Sequence, residues 1–248
     1  ERNEVMQKAL LKARHADEMK TTFLSNLSHD MRTPLNAVLG YAGLALKADD
    51  KTGMADYLIK IEKAGNMLLS LINDTLDLSK IEAGKENLFL HETNIAEIVE
   101  EIYKMFYPKF YEKQLEFKIE IKSDISEILN ADSQKISKIL INLIGNALKF
   151  TEKGGVTVKI SCKKEQNNNY FYTIVIKDTG IGISEKEISK IFMPFEQSYS
   201  GRKDGSGTGL GLAISRQHAL MMGGDITVKS KENQGSRFYF TFRALKAD

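Results

Sequence analysis

Apolar residues recur at intervals of three and four along the first part of the chain, which is the spacing of an amphipathic helix. Leu24, Leu27 and Met31 fit successive a, d and a positions of a heptad repeat, in which a and d face a partner helix. The pattern is nearly uninterrupted, and it predicts one long helix from Glu1 to about Lys47.

A second helix follows a short turn. The segment Ala48–Gly53 has the composition of a turn, and beyond it an apolar period of about 3.5 residues continues to Ile81. The apolar positions of this second stripe are Leu58, Ile61, Gly65, Leu68, Ile72 and Leu76. An antiparallel hairpin with a stripe on each helix cannot bury both stripes alone. We therefore predict a homodimer built on a four-helix bundle.

Beyond about Glu82 the pattern alternates between the periods of strands and helices. Predicted strands lie at Leu88–Leu90, Leu115–Ile121, Val156–Lys163, Tyr170–Asp178, Ile226–Ser230 and Arg237–Phe242. Predicted helices begin after Asn94 and span Asp132–Phe150, Ser184–Ile191 and Leu210–Met222. The fold class is α+β, a helical hairpin followed by an α/β sandwich. We expect three segments, with a leading helix over 1–20, the hairpin domain over 21–86 and the sandwich domain over 87–248.

Composition narrows the class of protein. The 248 residues carry 35 basic and 33 acidic side chains, interspersed, so no basic tract indicates a nucleic-acid partner. Cys162 is the single cysteine, which excludes an internal disulfide. No apolar run of about 18 residues occurs, so we expect no membrane contact in this chain. Because the chain begins at Glu1 rather than at methionine, we expect a fragment whose sensor or membrane-spanning part lies elsewhere.

One histidine occupies a position suited to chemistry. With Leu24 and Leu27 in the seam, His29 falls at heptad position f and points to solvent. Asp30 follows at once, and Thr33 lies on the same side one turn further on. Pro34 removes a backbone donor and predicts a bend there. The acid can hold the proton on one ring nitrogen, which leaves the lone pair of the other nitrogen nucleophilic.

Polar side chains form a second stripe on the predicted helix Asp132–Phe150. Asn142, Asn146 and Lys149 recur at i, i+4 and i+7, apart from the apolar face. Amide oxygens suit Mg²⁺ shared with phosphate oxygens, and an ammonium can neutralise phosphate charge. The stripe predicts a nucleotide site that binds Mg²⁺ and phosphate.

Two glycine-containing segments add to this site. Asp178 ends a predicted strand and is followed by Gly180 and Gly182, so its carboxylate can accept from an exocyclic amine while the glycines allow close backbone approach. A run of alternating glycines ending at Gly211 precedes a helix, and free N–H groups at a helix N-terminus bind anionic oxygens. It is not a P-loop, because no Gly-Lys-Ser/Thr ending is present.

These motifs together resemble the sensor histidine kinases of two-component systems. SHDMRTPLNA resembles the H-box, NLIGNALKFT the N-box, IVIKDTGIGI the G1 box, IFMPFEQ the F-box and GSGTGLGL the G2 box, in the family's order. The resemblance implies a phosphoacceptor and dimerisation domain followed by a Bergerat-type ATP-binding domain, with residues 1–20 as a signalling helix. It also implies the bound cofactors ATP and Mg²⁺, a cytoplasmic location and a response-regulator receiver as partner.

The resemblance assigns roles residue by residue. His29 becomes the phosphoacceptor, Asp30 its proton acceptor and Thr33 a residue that assists dephosphorylation of the regulator. Ser198–Ser206 becomes an ATP lid, and Asn146 becomes the magnesium ligand. Besides Asn142, Asn146, Lys149, Asp178, Gly180, Gly182 and Gly211, the implied nucleotide-binding residues are Phe150, Phe195, Gly207, Thr208, Gly209 and Leu210.

Three other functions are compared with this one. Another ATPase of the same superfamily would lack the hairpin that carries His29. A catalytically weak dimeric signalling adaptor would have lost Asn146, Asp178 or the lid glycines, and all are present. A nucleic-acid-binding coiled coil would need a basic stripe, which the charge balance does not supply.

Overall fold

The computed structural model describes residues 27–48, 50–122, 125, 127–194 and 208–247. The chain divides into two compact units between Ser79 and Lys80. We call the described residues up to Ser79 the hairpin unit and those from Lys80 the sandwich unit. The expected leading helix over 1–20 lies outside the described residues, and the three-segment division stays a prediction.

The hairpin unit consists of two long helices. Helix α1 covers residues 27–45 and continues through Pro34, and α2 spans Lys51–Glu82. The rings of Tyr41 and Tyr57 stack with centroids 6.3 Å apart, which places the two helices side by side. The turn predicted over Ala48–Gly53 extends too far, because α2 already begins at Lys51. The Asp50 carboxylate caps this helix by accepting the backbone N–H of Gly53 at 2.6 Å.

Helix α2 ends in a Schellman motif at the predicted glycine. Gly84 has φ of +63°, a conformation in which a residue with a Cβ is strained. The N–H of Lys85 donates to the carbonyl of Lys80 at 2.9 Å, and that of Gly84 donates to Ile81 at 3.0 Å. The helix therefore stops at a defined point.

The described hairpin helices bury few of their apolar side chains. The buried residues there are Pro34, Ala45, Leu71 and Leu78. Large apolar side chains that remain exposed are Leu35, Leu39, Leu44, Leu46, Met54, Leu58, Ile59, Leu69, Ile72 and Leu76. This surface is what an unpaired half of a bundle presents, whereas the homodimer itself stays a prediction.

The sandwich unit is a seven-stranded sheet with helices packed on it. Its strands are β1 His91–Asn94, β2 Glu116–Ile121, β3 Ile128–Ala131, β4 Gly155–Lys164, β5 Asn169–Asp178, β6 Ile226–Ser230 and β7 Ser236–Lys246. Its helices are α3 Ile95–Glu112, α4 Ser133–Phe150, α5 Glu185–Ile188 and α6 Gly211–Met221. The sheet order is β1-β3-β7-β5-β4-β2, with β6 also paired to β7. All pairs are antiparallel except β2 with β4.

One core lies between the sheet and its helices. Every second residue of β4 and of β5 is buried along most of each strand, which is the pattern of a sheet with one covered face. The predicted apolar stripe of α4 is buried against it, from Ile136 to Ala147. These observations confirm the helical region followed by an α/β sandwich.

Three predicted elements differ from the structure in type or bounds, and one strand was not predicted. Leu88–Leu90 is not a strand, because the Phe89 N–H donates to the Asp132 carboxylate at 3.0 Å and pairing begins only at His91, opposite Ala131. The strand β3 was missed altogether. Helix α5 stops at Ile188, three residues before the predicted end, and β7 runs on to Lys246.

Within the sandwich unit, an ionic cluster joins the segment after α2 to α4 and α6. The Lys135 ammonium lies 2.7 Å from Glu86 and 3.5 Å from Asp132, and His218 Nε2 lies 4.0 Å from the same Glu86 oxygen. Burial raises the pKa of Asp132, but the N–H groups of Phe89 and Lys135 and the Lys135 charge outweigh it and hold that pKa below the ordinary value.

Candidate functional site

The candidate phosphoacceptor stands on the outside of α1. The His29 side chain is 78% exposed, as its heptad position predicts, and its Nδ1 lies 3.1 Å from Asp30 Oδ1. Because an ionised carboxylate only accepts hydrogen bonds, a neutral His29 ring in this contact carries its proton on Nδ1. The lone pair is then on Nε2, the ring nitrogen away from Asp30. This arrangement suits a nucleophile.

Thr33 faces its own helix. Its hydroxyl donates to the backbone carbonyl of His29 at 3.3 Å. The side chain therefore lies on the same side as His29, and a change of its χ1 angle would release the hydroxyl for another partner. Its part in regulator dephosphorylation stays a prediction.

The polar stripe of α4 is positioned by a capped helix. Asp132 caps α4 by accepting the N–H of Lys135 at 3.0 Å. Along the helix, Asn142 donates from Nδ2 to Ser215 of α6 at 2.9 Å, and Asn146 donates from Nδ2 to Asn142 Oδ1 at 3.4 Å. The predicted stripe is thus present as a connected set of side chains.

Lys149 and Phe150 lie together at the C-terminal end of the same helix. The Lys149 ammonium is 4.7 Å from the centre of the Phe150 ring, within the range of a cation–π contact. The contact places the ammonium beside the Phe150 ring at the end of α4.

Asp178 is buried at the end of β5. Its Oδ1 accepts two backbone N–H groups, from Gly180 at 2.8 Å and from Ser236 at 3.1 Å. Burial raises the pKa of Asp178 above the ordinary aspartate value, and these N–H donors offset part of the rise. Both backbone donors use Oδ1, so Oδ2 is the oxygen suited to a ligand.

The two glycines after Asp178 are required by the protein's own backbone. A Cβ at Gly180 would lie 2.2 Å from the Phe150 carbonyl oxygen, and one at Gly182 would lie 2.1 Å from that of Lys231. Gly182 also has φ of +70°. The sequence reasoning expected room for a flat base, whereas the structure shows that these glycines let the loop pack on α4 and on the β6–β7 turn.

Two serines behind Asp178 were missed from sequence. Ser230 accepts the N–H of Ile183 at 2.8 Å, and its Oγ lies 2.9 Å from that of Ser236. Ser236 in turn supplies a backbone donor to Asp178. The signal in the sequence was Gly235 just before the last strand, which marks a tight turn but not its partner.

The described part of the glycine-rich segment leads directly into α6. Gly209 has φ of +67°, and the Thr208 hydroxyl accepts the N–H of the buried Leu210 at 3.1 Å. Helix α6 then begins at Gly211. Phe195, Gly207 and the proposed lid Ser198–Ser206 lie outside the described residues.

The donor atoms of this site determine which metal ion it can bind. Within the described ranges no group of three or more His, Cys, Asp or Glu side chains is arranged to hold an ion. The described α4 stripe supplies amide oxygens instead, and because Asn146 donates from Nδ2 to Asn142, its Oδ1 can serve a cation. Asn146 therefore fits a Mg²⁺ ion that is bound mainly through phosphate oxygens.

No helix among the described residues has the length and apolar content needed to cross a bilayer.

Two family models match the chain in tandem. Residues 19–84 match the His Kinase A phospho-acceptor domain, and residues 131–246 match the histidine kinase-, DNA gyrase B- and HSP90-like ATPase domain. The chain belongs to the histidine kinase family. The acceptor domain contains His29, and the ATPase domain contains the α4 stripe, Asp178 and the glycine-rich segment.

Curated relatives are similar to this chain over nearly its whole length. Signal transduction histidine-protein kinase BarA of Escherichia coli K12 is 38% identical over 92% of the chain. Sensor protein GacS of Pseudomonas syringae is 36% identical over 95%, and hybrid signal transduction histidine kinase B of Dictyostelium discoideum is 37% identical over 94%. The chain spans 25%, 26% and 12% of these relatives, respectively.

Solved structures agree with this assignment. Full-length ShkA in complex with AMPPNP superposes with a TM-score of 0.67 and 32% identity, covering 90% of this chain and 46% of that one. The histidine kinase AdeS of Acinetobacter baumannii superposes with a TM-score of 0.63 over 89% of this chain and 98% of that one. At 23% identity, AdeS supports the fold alone.

Proposed function

We propose that this chain is the catalytic core of a sensor histidine kinase, which phosphorylates His29 from ATP and passes the phosphoryl group to an aspartate of a response regulator. The observation that carries the proposal is the exposed His29 with its ring nitrogen 3.1 Å from the Asp30 carboxylate. It stands in the same chain as a domain of the ATPase family, which explains where the phosphoryl group would come from.

The first step is a substitution at the γ-phosphorus. His29 Nε2 forms the new N–P bond while the bond from phosphorus to the leaving oxygen of ADP breaks. The ring becomes cationic as the bond forms, and Asp30 stabilises that charge by taking up the Nδ1 proton. Without the carboxylate, the ring would more often carry its proton on the attacking nitrogen.

The sandwich unit supplies the nucleotide site. Asp178 Oδ2 accepts from the adenine amine, and Lys149 with the N-terminal amides of α6 binds the phosphates. Asn146 would hold Mg²⁺, which offsets the negative charge of the phosphates when it is bound. The remaining nucleotide-binding assignments, Phe150, Phe195 and residues 207–211, rest on the family resemblance.

The partners follow from the same reading. A second copy of the chain completes the four-helix bundle, which the exposed apolar surface of α1 and α2 supports. The response regulator receives the phosphoryl group, and Thr33 assists the reverse removal of phosphate from it. We place the reaction in the cytoplasm, where ATP is available. The domain roles are signalling over 1–20, dimerisation and phosphotransfer over 21–86, and catalysis over 87–248.

Incubation with γ-labelled ATP tests the central step. The parent chain should acquire label that acid removes and alkali preserves, as a phosphoramidate requires, and His29→Gln should abolish it. Nucleotide affinity should change less than about twofold, because His29 is not part of the proposed nucleotide site. Asp30→Asn should slow labelling about a hundredfold or more, the usual scale of one general base.

His91→Gln is the matched control, since His91 is also an exposed histidine. It should label like the parent. Label that persists in His29→Gln would transfer the role to another histidine. ADP formation without any labelled protein would favour a plain ATPase of the same superfamily, and nucleotide binding with neither product would favour the signalling adaptor.

A further inference from the structure

Both ends of the Asn142 side-chain amide form hydrogen bonds with other side chains of the protein. Its Nδ2 donates to the Ser215 hydroxyl at 2.9 Å, and its Oδ1 accepts from Asn146 at 3.4 Å. Ser215 lies on α6 and is only 3% exposed, so the hydroxyl that accepts from Asn142 is shielded from water. The three polar side chains thus form a row from α6 to the candidate metal ligand.

The space around Gly211 shows how closely the Asn142 side chain approaches α6. A Cβ placed on Gly211 would lie 2.7 Å from Asn142 Oδ1, closer than real Cβ contacts allow. Gly211 is the first residue of α6 and follows the described end of the glycine-rich segment. Asn142 therefore occupies the space beside the first turn of α6.

The direction of each hydrogen bond decides what Asn146 presents to a ligand. An amide side chain has a donor end and an acceptor end, and a rotation of about 180° exchanges them. Since Ser215 accepts from Asn142 Nδ2, Asn142 turns its oxygen toward Asn146. Asn146 then uses its own nitrogen in that bond, which leaves its oxygen for a hard cation such as Mg²⁺.

We propose that Ser215 and Asn142 are positioning residues that orient the Asn146 amide with its oxygen toward the metal, so that Asn142 acts through Asn146 and not by direct contact with the nucleotide. This inference rests on the proposed function, because it needs Asn146 to be the metal ligand. It assigns a second role, beside phosphate binding, to α6, the helix that follows the glycine-rich segment.

The test separates metal-dependent from metal-independent binding. Affinity for a non-hydrolysable ATP analogue is measured by calorimetry in EDTA and over a series of Mg²⁺ concentrations. In Ser215→Ala the affinity in EDTA should stay within about twofold of the parent value. The gain produced by Mg²⁺ should fall about three- to tenfold, the scale of one neutral hydrogen bond. Ionic equilibria between Mg²⁺ and nucleotide cancel in the comparison with the parent.

Three further variants make the result decisive. Ser215→Thr keeps the hydroxyl and should restore the Mg²⁺-dependent gain, and Asn142→Ala should lose it even if Ser215→Ala folds poorly. Ser161→Ala is the matched control, since the Ser161 hydroxyl bonds Thr173 within the sheet. It should behave like the parent.

Several outcomes would contradict the proposed positioning role of Ser215 and Asn142. Equal losses in EDTA and in Mg²⁺ would show that Ser215 supports packing, as would equal losses in Ser215→Thr and Ser215→Ala. An unchanged Mg²⁺ gain in both Ser215→Ala and Asn142→Ala would show that neither residue orients Asn146. A parent chain that binds no ATP analogue would instead refute the proposed function itself.

Discussion

The two units of the chain differ in how far they complete their own packing. In the sandwich unit, the buried apolar side chains of the sheet, of α3 and of α4 form a single cluster with Ala219 of α6. In the described hairpin helices, most large apolar side chains remain exposed, Leu58 at 54% among them. The sandwich unit finishes its core within one chain, whereas the described hairpin helices leave an apolar face exposed.

The chemistry of each unit follows this difference. Asp178 is 6% exposed, and its environment is built from backbone donors of a closed fold. His29 is 78% exposed and has one neighbouring acid as its described side-chain partner. A group that must meet both a nucleotide and a second protein needs access more than enclosure. A group that selects a base needs a fixed and dry surrounding.

The largest expected effect comes from charging the apolar face of α2. The double variant Ile72→Glu, Leu76→Glu places two carboxylates on that face in each copy. Losing four buried apolar side chains per dimer should weaken dimerisation by about 6 kcal/mol or more, well over a thousandfold. Sedimentation velocity over a concentration series measures the change.

The matched control adds the same charges to polar positions of the same helix, as Asn66→Glu with Asn73→Glu. Both asparagines are exposed, so dimerisation should be retained. Thermal unfolding of the sandwich unit should be unaffected in either variant. A parent chain that stays monomeric over the whole concentration series would contradict the predicted homodimer.

A cavity in the closed core should be the next largest effect. Phe240 is fully buried and stacks with Phe242 at 5.2 Å, so Phe240→Ala should cost about 3–5 kcal/mol of unfolding free energy in the sandwich unit. Leu58→Ala in the hairpin should leave that transition where it is. Urea unfolding followed by circular dichroism compares the two. Similar losses would mean that the units unfold as one.

Asp178→Asn should weaken binding and strengthen the fold. Replacing the acceptor with a donor facing the adenine amine should cost about 1–3 kcal/mol, or roughly ten- to a hundredfold in ATP affinity. Because burial raises the pKa of Asp178, the folded state binds its proton more readily than the unfolded state. Stability therefore falls as pH rises from the ordinary aspartate value through the raised one, and the neutral variant avoids that loss.

Calorimetry and thermal melts from pH 4 to pH 8 test both parts of this prediction. The parent and the variant should differ least in melting temperature at the acid end, where the protonated fraction of Asp178 is largest. At neutral pH the variant without nucleotide should melt at the same or a higher temperature. Unchanged ATP affinity would reduce Asp178 to a cap of its turn.

The smallest effect concerns Thr33. Thr33→Ala removes one positioning contact, worth about 1.4 kcal/mol, and should slow dephosphorylation of a phosphorylated regulator about tenfold. Labelling of His29 from ATP should stay within a few fold. Paired time courses, label gained by the kinase and label lost from the regulator, measure the two rates. Equal losses would show that Thr33 supports only the helix before Pro34.

Long elements were predictable because their periodicity extends over many residues. Helix α4 and the β4–β5 hairpin lie close to their predicted bounds. The short strands β1 and β3 were missed or misplaced, since four residues are too few for a period and their pairing joins His91 to Ala131. Such pairing depends on tertiary contact, which local pattern does not show.

The same limit applies to the site. Motif residues such as Asp178 and Asn146 were found from their own spacing, but their partners were not. Ser215 lies 73 positions from Asn142, and the ionic contact of Glu86 with Lys135 spans 49 positions. No short-range pattern connects such pairs, because a hydrogen bond depends on the fold that brings them together. Phe195 and Gly207 remain predictions from the motif alone.

The position of β7 in the sheet has a consequence for synthesis of the protein. This last strand pairs with β5 along one edge and with β6 and β3 along the other, so the sheet cannot close before residues 236–246 leave the ribosome. At about 5–20 residues per second, roughly ten to thirty seconds separate the emergence of α2 from that of β7. During this interval the two long helices are already available to a neighbouring nascent chain, while β5 has an open edge that a chaperone can cover. The predicted pairing of two copies can thus precede the proposed binding of ATP.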